Sequence, residues 1–289
     1  MQPSQLAAIL DHVRAEPSRT WSIIISFFGD AIVPRGGSVW LGTLLAFFKG
    51  MGVGESVVRS AVSRLSSENW LTRSRHGRHS FYHLATRGQE EFAQATQLIY
   101  HHQPQLAGET FEAVLAEPSA REALEQAGFG MVLPGLFVAP APTKIPDLSP
   151  SALCFSLSGA PAALREVAAR SWALTALAGA YERFLQAFEP LRLDLASGLD
   201  LSSQEAILVR VLLIHEYRRI ALRDPMLPSA LLPANWPGET ALACCAAIYA
   251  ALLPASEHWL DEHARGMDFN PLPAHPDVFK RFQGLKASL

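Results

Sequence analysis

Residues Glu55–Leu84 constrain the fold more than any other stretch, because two patterns of different period adjoin there. Val58, Ala61, Val62 and Leu65 recur at helical spacing, with Val57 beside them. Ser56, Arg59, Ser60, Ser63 and Ser67 fall on the opposite face, and Arg64 lies at the border. Apolar residues three and four apart make one stripe of an amphipathic helix. Gly54 can serve as its N-cap, and Glu55 suits the positive end of the helix dipole. The period then changes. Leu71–Arg73 and Ser80–Leu84 read as two strands around a turn at Gly77, tipped by Arg75-His76-Gly77-Arg78-His79.

Upstream, Ile23, Ile24, Phe27 and Phe28 predict a helix from Ser18 or Thr20 through Phe28, preceded by a polar leader helix or tail over residues 1–16. A second helix is expected over Val39–Lys49, and Gly50, Gly52 and Gly54 turn the chain into the third. Helix, helix, helix, hairpin is the order of a winged helix-turn-helix, which makes double-stranded DNA the expected partner. On the third helix, small serines let the backbone approach a groove. Arg59 and Arg64 match guanine edges, and Ser56, Ser60 and Ser63 reach bases or phosphates. A solvated surface helix would share this pattern. The hairpin favours DNA, because no acidic residue lies between Glu68 and Glu90. Arg73, Arg75, His76, Arg78 and His79 are thus candidates for phosphate or minor-groove contact.

The formal net charge of −3 hides an asymmetry. Residues 1–90 carry 10 Lys and Arg against 6 Asp and Glu, whereas the remainder carries 14 against 21. A basic arm and an acidic body suit a protein that meets phosphate at one end only. Cys154, Cys244 and Cys245 form neither a spaced disulfide framework nor a zinc pattern. There is no signal-peptide pattern, and the apolar run Ala241–Leu253, with Pro254 as its expected stop, is 13 residues, too short to span a bilayer. A soluble, cytoplasmic protein is expected.

A helix over Thr86–His102, closed by Gln103-Pro104, leads into a mixed segment. Strands are expected at Phe111–Leu115, Gly135–Ala139 and Ala152–Leu157, and helices at Ala120–Ala127 and Ala162–Arg170. That βαββα order points to a ferredoxin-like domain. The loop Pro140–Pro150, with four prolines, should be extended and exposed. From Trp172 onward the pattern is helical, with candidates at Trp172–Phe188, Ser202–Leu222, Gly238–Leu253 and Ser256–Ala264. The class is α+β. The expected domains are a winged helix-turn-helix at 1–86, a linker helix at 87–104, a ferredoxin-like domain at 105–171 and a helical domain at 172–289.

Several of these residues also carry a resemblance. Gly29-Asp30, Pro34-Arg35-Gly36-Gly37, Val39-Trp40-Leu41, Arg59, Ala61-Val62-Ser63-Arg64-Leu65 and Trp70-Leu71 together resemble the PaaX family. So do Gly128-Phe129-Gly130, Pro134-Gly135-Leu136, the block Leu213–Pro225 and its continuation Leu231–Gly238. The match runs in order through most of the chain. It departs where the family has tryptophans around an Asp-Gly turn, for here stand Leu106, Ala107-Gly108 and Phe111, and Gly54 replaces a common Ser or Thr cap. The resemblance implies a homodimeric repressor of phenylacetate catabolism, released from its operator by an acyl-CoA, phenylacetyl-CoA or a relative, with no cofactor.

An acyl-CoA needs clustered cations for its phosphates. Arg218, Arg219 and Arg223 supply them, and His215 or Tyr217 could bond the acyl carbonyl, with Trp236 nearby in the matching block. The competing reading is a structural network in which Glu216 pairs with Arg219 or with a neighbouring helix and His215 is a satisfied core polar group. No nucleophile motif, Walker loop or zinc helix occurs, since position 219 is Arg rather than a second His. Glu112 is the only acidic residue of the candidate first strand, too little for a metal nuclease. An enzyme is therefore not expected. The alternatives are an acyl-CoA-handling enzyme with a basic accessory domain and an effector-independent DNA-binding protein.

Overall fold

The computed structural model describes residues 20–100, 110–274 and 276–282, together with Ile9 and His12. The expected leader lies outside them apart from those two residues, as do Gln103-Pro104 and the departures at residues 106–108. The architecture is mixed α+β with a helical C-terminal part. It divides into two compact units, one of residues 1–102, 183–222 and 240–289, the other of residues 103–182 and 223–239. These groupings cut across the expected boundaries, because the N-terminal segment and the late helices share a core.

In the first unit, α1 (Thr20–Phe27) continues through a π-helical turn at Phe28–Ile32. Then follow β1 (Ser38–Trp40), α2 (Leu41–Gly50), α3 (Glu55–Ser67), β2 (Leu71–His76), β3 (His79–Leu84) and α4 (Thr86–Tyr100). The third helix starts after Gly54, as its pattern requires. The helix expected at Val39–Lys49 begins only at Leu41. Val39 and Trp40 instead pair with Tyr82 and Phe81, giving an antiparallel sheet in the order β1-β3-β2. Helix α1 packs on α3 and on α8 (Ser203–Ala221), which carries a capping box from Ser202 and Glu205.

Helix α9 runs unbroken over Gly238–His263, so Pro254 does not end it. Its 26 residues are apolar and long enough to cross a bilayer, yet it is a core helix. Ala241, Cys245, Ile248, Leu252, Trp259 and Leu260 are buried on both sides of the proline. That burial outweighs the hydrogen bond Pro254 forfeits.

A charged network occupies this core. Arg210 on α8 and Asp30 are fully buried, with Nε 2.7 Å from Oδ2. Arg210 also reaches Glu257 of α9 at 2.5 Å. Arg35 pairs with Glu257 at 2.6 Å and with Asp261 at 2.8 Å. Arg281 meets Asp30 at 2.8 Å, while Tyr100 and Tyr249 donate to the same carboxylate. Burial opposes the charge on Arg210, but Asp30, Tyr249 and Glu257 beside it hold its pKa above the usual arginine value. Burial pushes the Tyr249 phenol up to about 12. Gly29 serves this arrangement, for a Cβ there would collide with the Phe92 ring.

The second unit has β4 (Phe111–Leu115), α5 (Arg121–Gln126), β5 (Gly130–Leu133), β6 (Leu136–Pro140), β7 (Leu153–Leu157) and α6 (Pro161–Ser171), and α7 (Leu174–Ala196) begins in it. The short strand β5 is an addition to the expected elements, and it makes the order βαβββα. The sheet order is β5-β6-β4-β7, antiparallel throughout. Phe111, Ala113 and Val138 face a core with Leu164, Ala168, Leu174, Leu227 and Leu231. Val114 and Phe137 face Leu124 and Phe129. The proline-rich loop is not wholly exposed, since Ile145 and Leu148 cover that second face.

The core of the first unit can be tested by substitution and by pH. Arg210→Met leaves Asp30 and Glu257 buried with reduced compensation, so that unit should lose about 3–5 kcal/mol in denaturant unfolding. A loss below ~1 kcal/mol would rank the pair with ordinary surface pairs. His215, also on α8, is fully buried, with Nδ1 2.8 Å from Ser26 Oγ of α1. Burial, with Arg218 and Arg219 adding to it, lowers its pKa to about 3. The unfolded chain then takes up a proton below about pH 6.5 that the folded chain refuses, so stability falls as the pH drops through that value. Wild type should lose roughly 2 kcal/mol more than His215→Gln between pH 8 and pH 5. Parallel pH profiles would show that the imidazole is protonated in the fold.

Candidate nucleic-acid interface

Helix α3 divides its sequence between two environments. Val58, Val62 and Leu65 are buried against the rest of the unit, and Ala61 is half-buried. Ser56, Arg59, Ser60, Ser63, Arg64 and Ser67 are exposed. Val57, placed beside the apolar stripe by sequence, is exposed as well. Arg59 lies 3.4 Å from Glu55, and Arg64 lies 2.7 Å from Glu68, both one helical turn away. Exposed pairs of this kind are worth well under about 1 kcal/mol, so either guanidinium can exchange its carboxylate for a base edge or phosphate. Arg64 also stands over the Trp21 ring at 5.6 Å, which ties α3 to α1.

The hairpin extends further than its sequence pattern indicates, with β2 running through His76. Arg75 opposes Ser80 and His76 opposes His79. That leaves Gly77-Arg78 as a two-residue loop with Gly77 at φ 58°, the backbone region such tight loops demand of their first residue. Arg73, Arg75, His76 and Arg78 are exposed, and Arg73 donates to Ser80 Oγ at 2.7 Å. Side-chain alternation puts Arg73 and Arg75 on one face of the strand. His79 is placed differently. Its ring meets Phe269 at 4.4 Å and Trp40 at 5.6 Å, so although it flanks the loop it is packed among aromatic rings rather than presented to a partner.

Phe269 is invisible to sequence reasoning. It lies 190 residues along the chain from His79, in a turn whose only local mark is Asp268-Phe269-Asn270, and it also packs on Phe81 at 5.6 Å. Trp70 belongs to the resemblance motif, which by itself gives it no role. Its backbone NH bonds the Leu65 carbonyl, its carbonyl accepts from Ala85, and Arg87 stands 5.0 Å over its ring. It therefore fixes the angle between α3 and the hairpin. A tryptophan shortly after the helix's last turn is the available sequence signal.

The residues expected to hold an acyl-CoA differ in their surroundings. His215 is enclosed on Ser26, and Tyr217 is buried with its ring 5.6 Å from Phe184. Arg219 reaches Glu216 at 3.2 Å. Arg218 is held through Nη2 by the Ser22 carbonyl at 3.1 Å and Ser22 Oγ at 3.0 Å. Burial lowers its pKa to about 10. Arg223 is exposed, and Trp236 is half-buried with its ring 5.9 Å from Tyr181. Those two residues belong to the second unit. Among the described residues, no group of three or more His, Cys, Asp or Glu is arranged to hold a metal.

Comparison with known proteins places the chain. The family model described as PaaX-like protein matches residues 19–88, and the one described as PaaX-like protein C-terminal domain matches residues 172–262. The transcriptional repressor PaaX of Escherichia coli (strain K12) is 36% identical over 307 aligned positions, covering 98% of this chain and 96% of that protein. A solved structure of an uncharacterized protein from Mycobacterium tuberculosis is 22% identical, covering 75% of this chain and 89% of that one, with a TM-score of 0.48. On the strength of the two family models and the near full-length relative, the chain belongs to the PaaX-like family.

Proposed function

We propose that this chain is a DNA-binding transcriptional repressor of an aromatic-acid catabolic operon, by family that of phenylacetate, and that an acyl-CoA such as phenylacetyl-CoA releases it. The observation that carries the reading is the exposed Ser/Arg face of α3 standing beside a basic hairpin, in a chain similar to a transcriptional repressor over nearly its whole length. Residues 1–86 act as the winged helix-turn-helix, with α3 entering the major groove and the β2–β3 hairpin as the wing. Ser56, Arg59, Ser60, Ser63 and Arg64 read or approach bases, while Arg73, Arg75, His76 and Arg78 serve phosphates. His79 supports the wing from behind.

Residues 87–104 link this arm to a ferredoxin-like domain at 105–171, followed by the helical body at 172–289. The ferredoxin-like reading is supported by β6 lying between β4 and β5, which α5 connects. The departure is that α6 follows the last strand instead of preceding it. One winged helix contacts few base pairs, so a homodimer on paired half-sites supplies the specificity. The setting is cytoplasmic, as for any regulator of a bacterial-type operon, and the role is regulatory rather than catalytic.

Operator titrations at several salt concentrations test the interface. Arg59→Ala should weaken specific binding by about 1–3 kcal/mol and relax specificity if that side chain makes a bidentate base contact. Arg75→Ala with Arg78→Ala should lower affinity for all sequences alike, with the log–log salt slope falling by about 0.9 for each phosphate no longer neutralised. A salt slope equal to wild type would remove the hairpin from the interface.

A further inference from the structure

The first unit contains an open cleft of about 330 Å³ that the DNA-binding reading does not use. Its walls are Ile25 of α1, Trp70, Phe92 and Leu98 of α4, and Leu222 just beyond α8. Ala95 of α4 and Arg218 also line it. Aromatic and branched aliphatic walls with a single convergent cation are the usual make-up of a small-molecule site.

Arg218 is the second observation. Its Nε is buried and has no hydrogen-bond partner among the described residues, and only Nη2 is held, by Ser22. A guanidinium held only through Nη2 keeps donor capacity unused, and an oxygen entering the cleft that Arg218 lines can accept from it. The other charge on the cleft, Glu91, is exposed and already lies 3.1 Å from Arg87. One cation does not suit a polyanion. It suits one carbonyl or carboxylate oxygen at the head of an apolar group.

The cleft also reaches the DNA-binding face by two short links. Trp70 is its wall and at the same time the residue that joins α3 to β2. Ser22, which holds Arg218, adjoins Trp21, over whose ring Arg64 of α3 stands. A group filling the cleft must therefore press on the residues that set the position of α3 and the wing.

We propose that this cleft takes the aryl or acyl end of the releasing ligand, with its carbonyl or carboxylate oxygen accepting from Arg218, and that occupancy shifts Trp70 and so disturbs the α3–hairpin angle. This rests on the reading of the protein as an effector-released repressor. It assigns the acyl group to Arg218 and the cleft, and leaves His215 and Tyr217 as packing residues. Any CoA portion extends through the open side into solvent.

The test uses the full chain with phenylacetate, phenylacetyl-CoA and CoA as separate probes, in calorimetric titrations, tryptophan fluorescence and operator release. The expected result is that an aryl-bearing probe binds and quenches fluorescence, and that Trp70→Phe removes the quenching. Ala95→Phe, which fills the cleft from α4, should weaken that binding and raise the concentration needed for operator release by tenfold or more. Arg218→Gln should weaken binding similarly, and Ala95→Phe carries the test alone if that variant fails to fold. Phenylacetate binding as tightly as its thioester would mean that a free carboxylate is the ligand. Binding of the thioester alone would mean that the carbonyl is what Arg218 recognises. Either outcome supports the site. Tight binding of an aryl probe that Ala95→Phe leaves unchanged would place the effector site elsewhere while the repressor reading stands. Filling of the cleft with no change in operator affinity would overturn the coupling. If operator binds but no probe does, both the site and the acyl-effector reading fall.

Discussion

The ion pair between Arg210 and Asp30 is the interaction on which the first unit depends. Both side chains are fully buried, and each has further partners: Glu257 for Arg210, and Arg281, Tyr100 and Tyr249 for Asp30. With Arg35 and Asp261 the cluster sets three arginines against three carboxylates. Charges removed from water cost several kcal/mol each unless partners surround them; here partners do, although Arg210 Nε and Asp30 Oδ2 meet as an ion pair without forming a hydrogen bond. The geometry is also specific, since the partners come from the turn after α1, from α8, from α9 and from the last described residues. The helices that carry the arm and the helices of the C-terminal part are thus joined where a mismatch would be most costly.

That join gives the DNA-binding reading its physical setting. A recognition helix held only by its own apolar stripe would be a loosely mounted element. Here α1, on which α3 packs, leads into the network through Asp30, and α8 supplies Arg210 and packs on the same helix. A small-molecule signal acting on α1, α4 or α8 therefore acts on the mounting of α3. Trp70 makes the link local, because its backbone bonds to both helix and hairpin and the residue lines the cleft.

Helix α3 and the hairpin are legible in the sequence because their signals are local. A 3.6-residue stripe, a glycine before it, a glycine at the turn and a run without acids suffice to place α3, β2 and β3. The signals fail where distant residues decide. Val39 and Trp40 form a strand because Phe81 and Tyr82 offer a ladder. Helix α9 passes Pro254 because it is buried on both sides of it. Strand β5, only four residues long, is lost in a turn-rich stretch. Asp30 and Arg35 stand out in sequence as parts of a family motif and not as a buried network, since their charged partners stand 180 to 251 residues away. His79 shows the same blindness, because Phe269 claims its ring.

Native-state hydrogen exchange tests most directly whether the buried network makes one body of arm and helices. In wild type, the most protected amides of α1 and α3 should open with the same free energy as those of α8 and α9, as expected for one cooperative unit. In Asp30→Asn, protection in all four helices should fall together and by the same amount. Loss of protection confined to α8 and α9, with α1 and α3 unchanged, would show that the DNA-binding arm is mounted independently, and would contradict the account.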